Sequence, residues 1–408
     1  MQTFGYKFFK VHYCMLYLKI FKYTKMQLLF LCFCTFLSSC TSQSEQKIIV
    51  GANQLENYLP LLRNKQIAIV ANQTSLINGS HLVDSLLACS VSIVKVFAPE
   101  HGFRGESDAG ALINDEIDVK TGLPIHSLYG KNKKPSAEAL NDIDLIVFDI
   151  QDVGARFYTY ISTLHYVMEA CAENNIELLV LDRPNPNAHY VDGPILDTAY
   201  QSFVGMHPIP IVHGLTIGEY AQMINGSFWL KDSIQCNLTV QEMKYYTHSL
   251  PYDLPVKPSP NLPNSQSISL YPSLCLFEGT AISVGRGTNL QFQIIGSPLL
   301  DSCSYSFSPS SQSGAKYPKH ESLKCCGWDL STFKIDKGIN LSYLIECFNQ
   351  YNTKGIPFFN SFFDKLAGSN VLRVLIEAGW SEAQIKETWQ EGLQLYKEQR
   401  LNYLIYPE

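Results

Sequence analysis

The chain has 408 residues, 46% of them apolar and 17% charged, with a formal charge of −6 at neutral pH. That length exceeds what one hydrophobic core serves, so two domains of ordinary globular composition are expected. The acidic balance argues against nucleic acid as a partner.

In chain order, the first signal is at the N-terminus. Lys19, Lys22 and Lys25 precede an apolar stretch, Leu28 to Leu37, which runs into Ser38-Ser39-Cys40. The stretch is short for a membrane span, and small residues before a cysteine read as a lipoprotein signal peptide over 1–40, with lipid carried on Cys40. A plain N-terminal anchor is the alternative. The leader holds five lysines and no acid, so the chain beyond it carries a balance of about −11. Residues 41–46 are polar and read as a tether.

The body alternates between two patterns. Ile67 to Ala71, Val91 to Ala98, Leu145 to Ile150 and Ile176 to Leu181 are near-continuous apolar runs. Helical patterns lie between them: one through His81, Leu82, Leu86 and Leu87, one over 136–140 and one over 159–174. Such alternation predicts an α/β fold with a parallel sheet covered on both faces, here assigned to 47–255. The polar segments after the four runs, 72–75, 100–105, 151–158 and 182–187, then share one sheet edge, where ligand crevices form. Loops at the other edge, such as 63–65 and 174–175, carry less chemistry.

A Pro-rich stretch over 251–263 fits neither helix interior nor central strand and marks a boundary, leaving 256–408 as a second domain. In it, Leu341 to Gln350 and Ser381 to Lys397 show amphipathic helical patterns, and Ser302 to Gly314 reads as an exposed Ser-rich loop. Of the cysteines beyond Cys40, Cys89 and Cys171 read as buried thiols, while Cys303 could bridge to Cys325 or Cys326. No internal repeat is visible.

Four of the seven arginines, Arg104, Arg156, Arg183 and Arg286, fall in Gly- or Pro-marked loops. A guanidinium fork suits a carboxylate or phosphate, so these positions point to an anionic group in the ligand; the alternative is pairing with a local acid, Asp108, Asp152 or Asp182. Glu100 is the candidate proton donor, because a carboxyl between Pro99 and His101 at a strand end can be partly desolvated, which favours its protonated form. An N-cap or an ion pair with Arg104 is the competing role. His101 would orient Glu100 or touch substrate. Glycoside hydrolysis usually needs a second carboxylate; Asp152 and Glu278 are candidates, with Glu106 and Asp108 behind them, and an acetamido group on the substrate could serve instead. The chain has no G-x-G-x-x-G, phosphate loop, G-x-S-x-G or H-E-x-x-H, and His207 with His213 is a weak, structural pair.

With these segments in view, the chain resembles glycoside hydrolase family 171, the exo-β-N-acetylmuramidases of the NamZ type. The resemblance rests on Phe97-Ala-Pro-Glu-His-Gly-Phe-Arg-Gly105, Thr121-Gly-Leu-Pro124, Ser127-Leu-Tyr-Gly130, residues 148–160, Leu181-Asp-Arg-Pro-Asn-Pro-Asn187, Val191-Asp-Gly-Pro194, residues 258–263, residues 270–280 and Ser283-Val-Gly-Arg-Gly-Thr288. Ala188 stands where a glycine commonly follows. The resemblance implies a Rossmann-like N-terminal domain, a smaller α/β domain and a cleft between them. It further implies release of N-acetylmuramic acid from non-reducing ends of peptidoglycan fragments, with no metal or organic cofactor. Its lactyl carboxylate would give the arginines a ligand. The candidate site is then Glu100 and Asp152 as catalytic groups, with Asn72, His101, Arg104, Gln151, Arg156, Tyr158, Arg183, Asn264, Glu278 and Arg286 as substrate ligands. The expected location is the periplasmic face of the outer membrane, through lipid on Cys40. The rivals are a non-catalytic wall-sugar-binding lipoprotein and a wall-peptide amidase or esterase.

Overall fold

The four apolar runs form the centre of a seven-stranded sheet. This computed structural model describes residues 46–104, 116–301, 303–334 and 337–408. The leader, Cys40, most of the tether, Gly105, Glu106 and Asp108 lie outside the described residues. After helix α1 (Leu55–Leu62), the chain enters β1 (Ile67–Ala71), a small hairpin of β2 (Leu76–Ile77) and β3 (Ser80–His81), α2 (Leu82–Ala88) and β4 (Ile93–Ala98). Edge strands β5 (Glu116–Ile117) and β6 (Pro124–Ser127) follow, then β7 (Leu145–Asp149), α3 (Tyr160–Asn174), β8 (Glu177–Leu181), α4 (Ile217–Gly226) and β9 (Asn237–Gln241). The sheet order is β5-β6-β4-β1-β7-β8-β9, parallel except for β5.

Alternation along the strands separates two apolar cores. Ala68, Val70, Phe97, Ile146, Phe148, Leu178 and Val180 pack in one cluster with α3 and α4, and Ile67, Ile69, Val96, Ala98, Val147 and Leu179 in another with α1 and α2. Both faces are buried, which explains why these strands read as unbroken apolar runs. The strand order reverses between β1 and β7, so the loops leaving these two strands flank the crevice expected of an open α/β sheet.

The C-terminal part begins with α5 (Ser265–Leu274), whose start is set by a capping box between Asn264 and Ser267. It adds a three-stranded sheet of β10 (Ile294–Ser297), β11 (Tyr305–Phe307) and β12 (Cys325–Asp329), then α6 (Ser342–Thr353), α7 (Phe363–Ala367), α8 (Val371–Glu377), α9 (Glu382–Glu387) and α10 (Gln390–Arg400). The core on the α3 side continues into this part without a break, through Phe157, Tyr271, Leu274 and Leu341.

Several expectations need correction. Ser302 to Gly314 is not all loop, because β11 pairs with β12 there and Cys303 is bridged to Cys326. The pattern over 381–397 is two helices, broken at Thr388 and Trp389, and 136–140 yields only a single 3-10 turn, Glu138–Leu140. Cys89 is exposed at the end of α2, whereas Cys171 is buried.

Candidate active site

Parallel strands bring the loops after β1, β4, β7 and β8 to one edge, and hydrogen bonds then lock the loops together. The Ser75 hydroxyl donates to the Asp149 carbonyl at the end of β7, and the Gln151 amide donates to Thr74 Oγ1 at 3.1 Å. Gln151 Nε2 donates to the carbonyls of Asp152 and Pro184 at 2.7 and 2.6 Å, so its side chain staples two loops. Gly154 has φ +76°, and a Cβ there would lie 2.1 Å from Asn185 Oδ1, so only glycine lets the loop after β7 pass the loop after β8.

Glu100 stands at the end of β4. The residue is half-buried, while His101, Gly102 and Phe103 after it are buried. His101 and Gly102 both adopt left-handed backbone, φ +70° and +79°, a sharp turn of the kind that active sites retain at a cost. Thr159 Oγ1 donates to Glu100 Oε2 at 3.0 Å, and the Tyr160 hydroxyl to the Glu100 carbonyl at 3.4 Å. The Tyr129 hydroxyl faces the same carboxylate; burial first, then the charge of Glu100, pushes this phenol well above its ordinary value and keeps it protonated.

Glu100 opens on a recess lined also by His101, residues 157–160, Ser259, Leu262, Tyr271 and Arg286. The N-terminal sheet edge thus supplies one wall and the segment around α5 the other. The Tyr158 hydroxyl donates to the Pro258 carbonyl at 2.8 Å, and the Tyr160 hydroxyl, whose one proton is shared with the Glu100 carbonyl, lies 3.3 Å from the same oxygen, which ties the walls together. Arg286 Nε contacts Glu278 Oε1 at 2.8 Å, and its guanidinium lies 5.0 Å from the centre of the Phe292 ring. Burial works to raise the Glu278 carboxyl, but the charges of Arg286 and Lys319 outweigh it and hold it below its ordinary value.

The candidate residues therefore divide. Glu100, His101, Tyr158 and Arg286 meet at the recess, with Glu278 as the partner of Arg286. Asp152 does not line it: it is 4% exposed, accepts from the Gly154 amide at 2.7 Å and lies 3.6 Å from His213 Nε2. Asn72 is fully buried, with Oδ1 accepting from Thr74 and its amide group beside the Tyr160 hydroxyl.

Arg156 is a correction, because it is fully buried and spends its guanidinium on the carbonyls of Pro194, Ile209, Leu366 and Ala367. Arg183 is another, locked on Asp149 with both partners buried. Arg104 forks onto Asp118 at 3.0 and 2.7 Å; burial would raise that carboxyl, but Arg104 and Thr121 bring it to about 2. Among the described residues, none of these arginines pairs its guanidinium with an acid expected from sequence proximity, Asp152 or Asp182; Asp108 lies outside the described residues. Asn264 is a helix cap rather than a ligand. His207 binds His165 and Tyr220, and His213 accepts from the Leu215 amide, so the two histidines serve separate hydrogen-bond sets. Ala188 has no left-handed backbone, so its turn needs no glycine.

Thr159, Tyr129 and Tyr271 were missed by the sequence reading. Thr159 had a signal, a hydroxyl at the first position of a helical pattern after a Gly-Ala-Arg loop; Tyr271 sits in an apolar helical pattern and had none.

The family model for exo-beta-N-acetylmuramidase NamZ, N-terminal, matches residues 67–266, and that for the C-terminal part matches residues 269–406. A curated relative, peptidoglycan beta-N-acetylmuramidase NamZ of Bacillus subtilis (strain 168), is 40% identical over 384 residues, covering 86% of this chain and 89% of the relative. A crystal structure of a DUF1343 family protein from Bacteroides fragilis NCTC 9343 superposes with a TM-score of 0.83 at 48% identity, over 89% of this chain and 99% of that one. A second DUF1343 protein from the same strain gives 0.76 at 29% identity, over 88% and 99%.

Proposed function

The chain belongs to the exo-beta-N-acetylmuramidase NamZ family, and on that premise we propose that it is a glycoside hydrolase removing N-acetylmuramic acid from the non-reducing ends of peptidoglycan glycans. The observation that carries the reading is the Glu100 carboxyl, fixed by Thr159 on the wall of a recess between the two parts of the chain. From there Glu100 gives its proton to the glycosidic oxygen as the bond to the anomeric carbon breaks, and water supplies the hydroxyl that replaces it. Among the described residues lining the recess Glu100 is the one carboxylate; Glu106 and Asp108 lie outside the described residues, and the substrate's own acetamido oxygen is a further candidate for the second role. Arg286 reaches the same recess, and the lactyl carboxylate of muramic acid is the anion it would recognise.

We place the protein outside the cytoplasm, at the periplasmic face of the outer membrane, tethered by lipid on Cys40. The leader pattern supports this, as does the Cys303–Cys326 bridge, which an oxidising compartment favours. The test of activity is to incubate the protein with a chromogenic N-acetylmuramide and with the matching N-acetylglucosaminide. Hydrolysis of the muramide is expected; hydrolysis of the glucosaminide alone would overturn the specificity.

A further inference from the structure

Tyr317 is 82% exposed, more than any other aromatic among the described residues, and yet it is carried on a turn that is fastened at many points. Ser310 N donates to the Gly287 carbonyl at 2.9 Å, and Gln312 Nε2 to the Thr288 carbonyl at 2.7 Å. Gln312 and Ala315 exchange backbone hydrogen bonds of 3.2 and 2.9 Å, and Asn261 Nδ2 donates to the Gly314 carbonyl at 2.7 Å. Past the turn, Lys319 Nζ donates to the carbonyls of Phe277, Thr280 and Ile282. Ala315 and Pro318, on either side, are buried.

These fastenings fix where Tyr317 stands. A Cβ on Gly287 would lie 2.7 Å from Pro318, and one on Gly314 would lie 2.5 Å from Pro260. The turn thus rests on 260–261 and 287, next to Ser259, Leu262 and Arg286 of the recess wall. A large apolar ring held in water on a rigid support gains nothing for folding, but it offers contact area with little entropy left to lose on binding. Lys316 Nζ lies 5.5 Å from the centre of the ring.

We propose that Tyr317 is a stacking platform for the sugar on the leaving-group side of the scissile bond, a subsite that engages the body of the glycan while its terminal muramic acid occupies the recess. The inference rests on the proposed glycosidase reading. The apolar C–H face of a pyranose packs on an aromatic face, and such a contact is sequence-tolerant along a repeating polymer.

The experiment compares kcat/KM for an N-acetylmuramyl-terminated tetrasaccharide with that for methyl N-acetylmuramide, which has no sugar beyond the scissile bond. In Tyr317→Ala the ratio should fall roughly threefold to tenfold, through KM for the tetrasaccharide, and Tyr317→Phe should restore it. An unchanged ratio in Tyr317→Ala, or an equal fall in Tyr317→Phe, overturns the platform. If the wild type hydrolyses neither compound, the glycosidase reading fails. The platform then stands only if calorimetry shows weaker tetrasaccharide binding by Tyr317→Ala than by wild type, and equal or absent binding rejects it as well.

Discussion

Thr159 begins α3, where a threonine hydroxyl ordinarily accepts a hydrogen bond from its own helix, yet its side chain makes no such cap and donates instead to Glu100 Oε2 at 3.0 Å. The hydroxyl joins the end of β4 to the start of α3, so the candidate acid is oriented by the loop from the far side of β1. Thr159→Val keeps the shape and removes the donor. Because no cap is lost, stability should change by less than about 1 kcal/mol, while kcat on the muramide falls roughly tenfold to a hundredfold. Unchanged kcat in a folded variant would remove Thr159 from the site.

Glu100→Gln should abolish the proton transfer and leave sugar binding in place. Loss of turnover by about a hundredfold or more is expected, with the affinity for N-acetylmuramic acid kept within a few-fold of wild type. Full activity in this variant would show that the acid lies elsewhere.

The sheet and the Glu100 loop were legible in the sequence because both are local: strands buried on two faces read as continuous Val, Ile and Leu, and a strand end followed by Glu-His-Gly reads as a loop with chemistry. The partners of the arginines were not legible. Arg183 pairs with Asp149 on the neighbouring strand and not with Asp182 beside it, and Arg104 pairs with Asp118, 14 residues further along the chain. Register between strands decides such pairs, and a single sequence does not carry it. Arg156 was misread for the opposite reason. A guanidinium in a Gly-marked loop suggests an anion, but this one replaces water for four carbonyls from three segments.

Arg183 and Asp149 form a buried ion pair whose value lies mostly in not leaving either charge alone. Arg183→Met strands the Asp149 carboxylate and should cost about 3–5 kcal/mol, read from the urea midpoint. Replacing both, Arg183→Met with Asp149→Leu, should recover most of that loss. If the single change is silent, Asp149 finds another counter-charge.

Asp182 gives stability a dependence on pH. Burial, with the charge of Glu219, raises its carboxyl to about 7, although hydrogen bonds from Tyr406, the Gly218 amide and Thr216 pull it down. The folded state therefore holds a proton that the unfolded chain releases near pH 4, so this group's contribution falls as pH rises from about 4 to about 7 and is flat above. Buried histidines such as His207, which burial holds neutral, act in the opposite direction and are shared by both proteins in a comparison with Asp182→Asn. The difference in unfolding free energy, wild type minus Asp182→Asn, should therefore decrease across that window. A flat difference would mean that the carboxyl stays ionised throughout.

The bridge between Cys303 and Cys326 follows from strand geometry, because neighbours on β12 face opposite sides: Cys325 is buried in the core, and only Cys326 faces Cys303. The bridge closes a loop of sequence separation 23 that contains β11 and the Tyr317 turn. On loop length it should be worth about 3 kcal/mol. Cys303→Ser with Cys326→Ser should lower Tm accordingly, and a reducing agent should lower the wild type's Tm to the same level while leaving the double variant unchanged. Because the loop carries Tyr317, the reduced protein should also lose part of its preference for the tetrasaccharide over methyl N-acetylmuramide. Thermal scans in which the reductant leaves wild type untouched would mean that the two thiols are not joined.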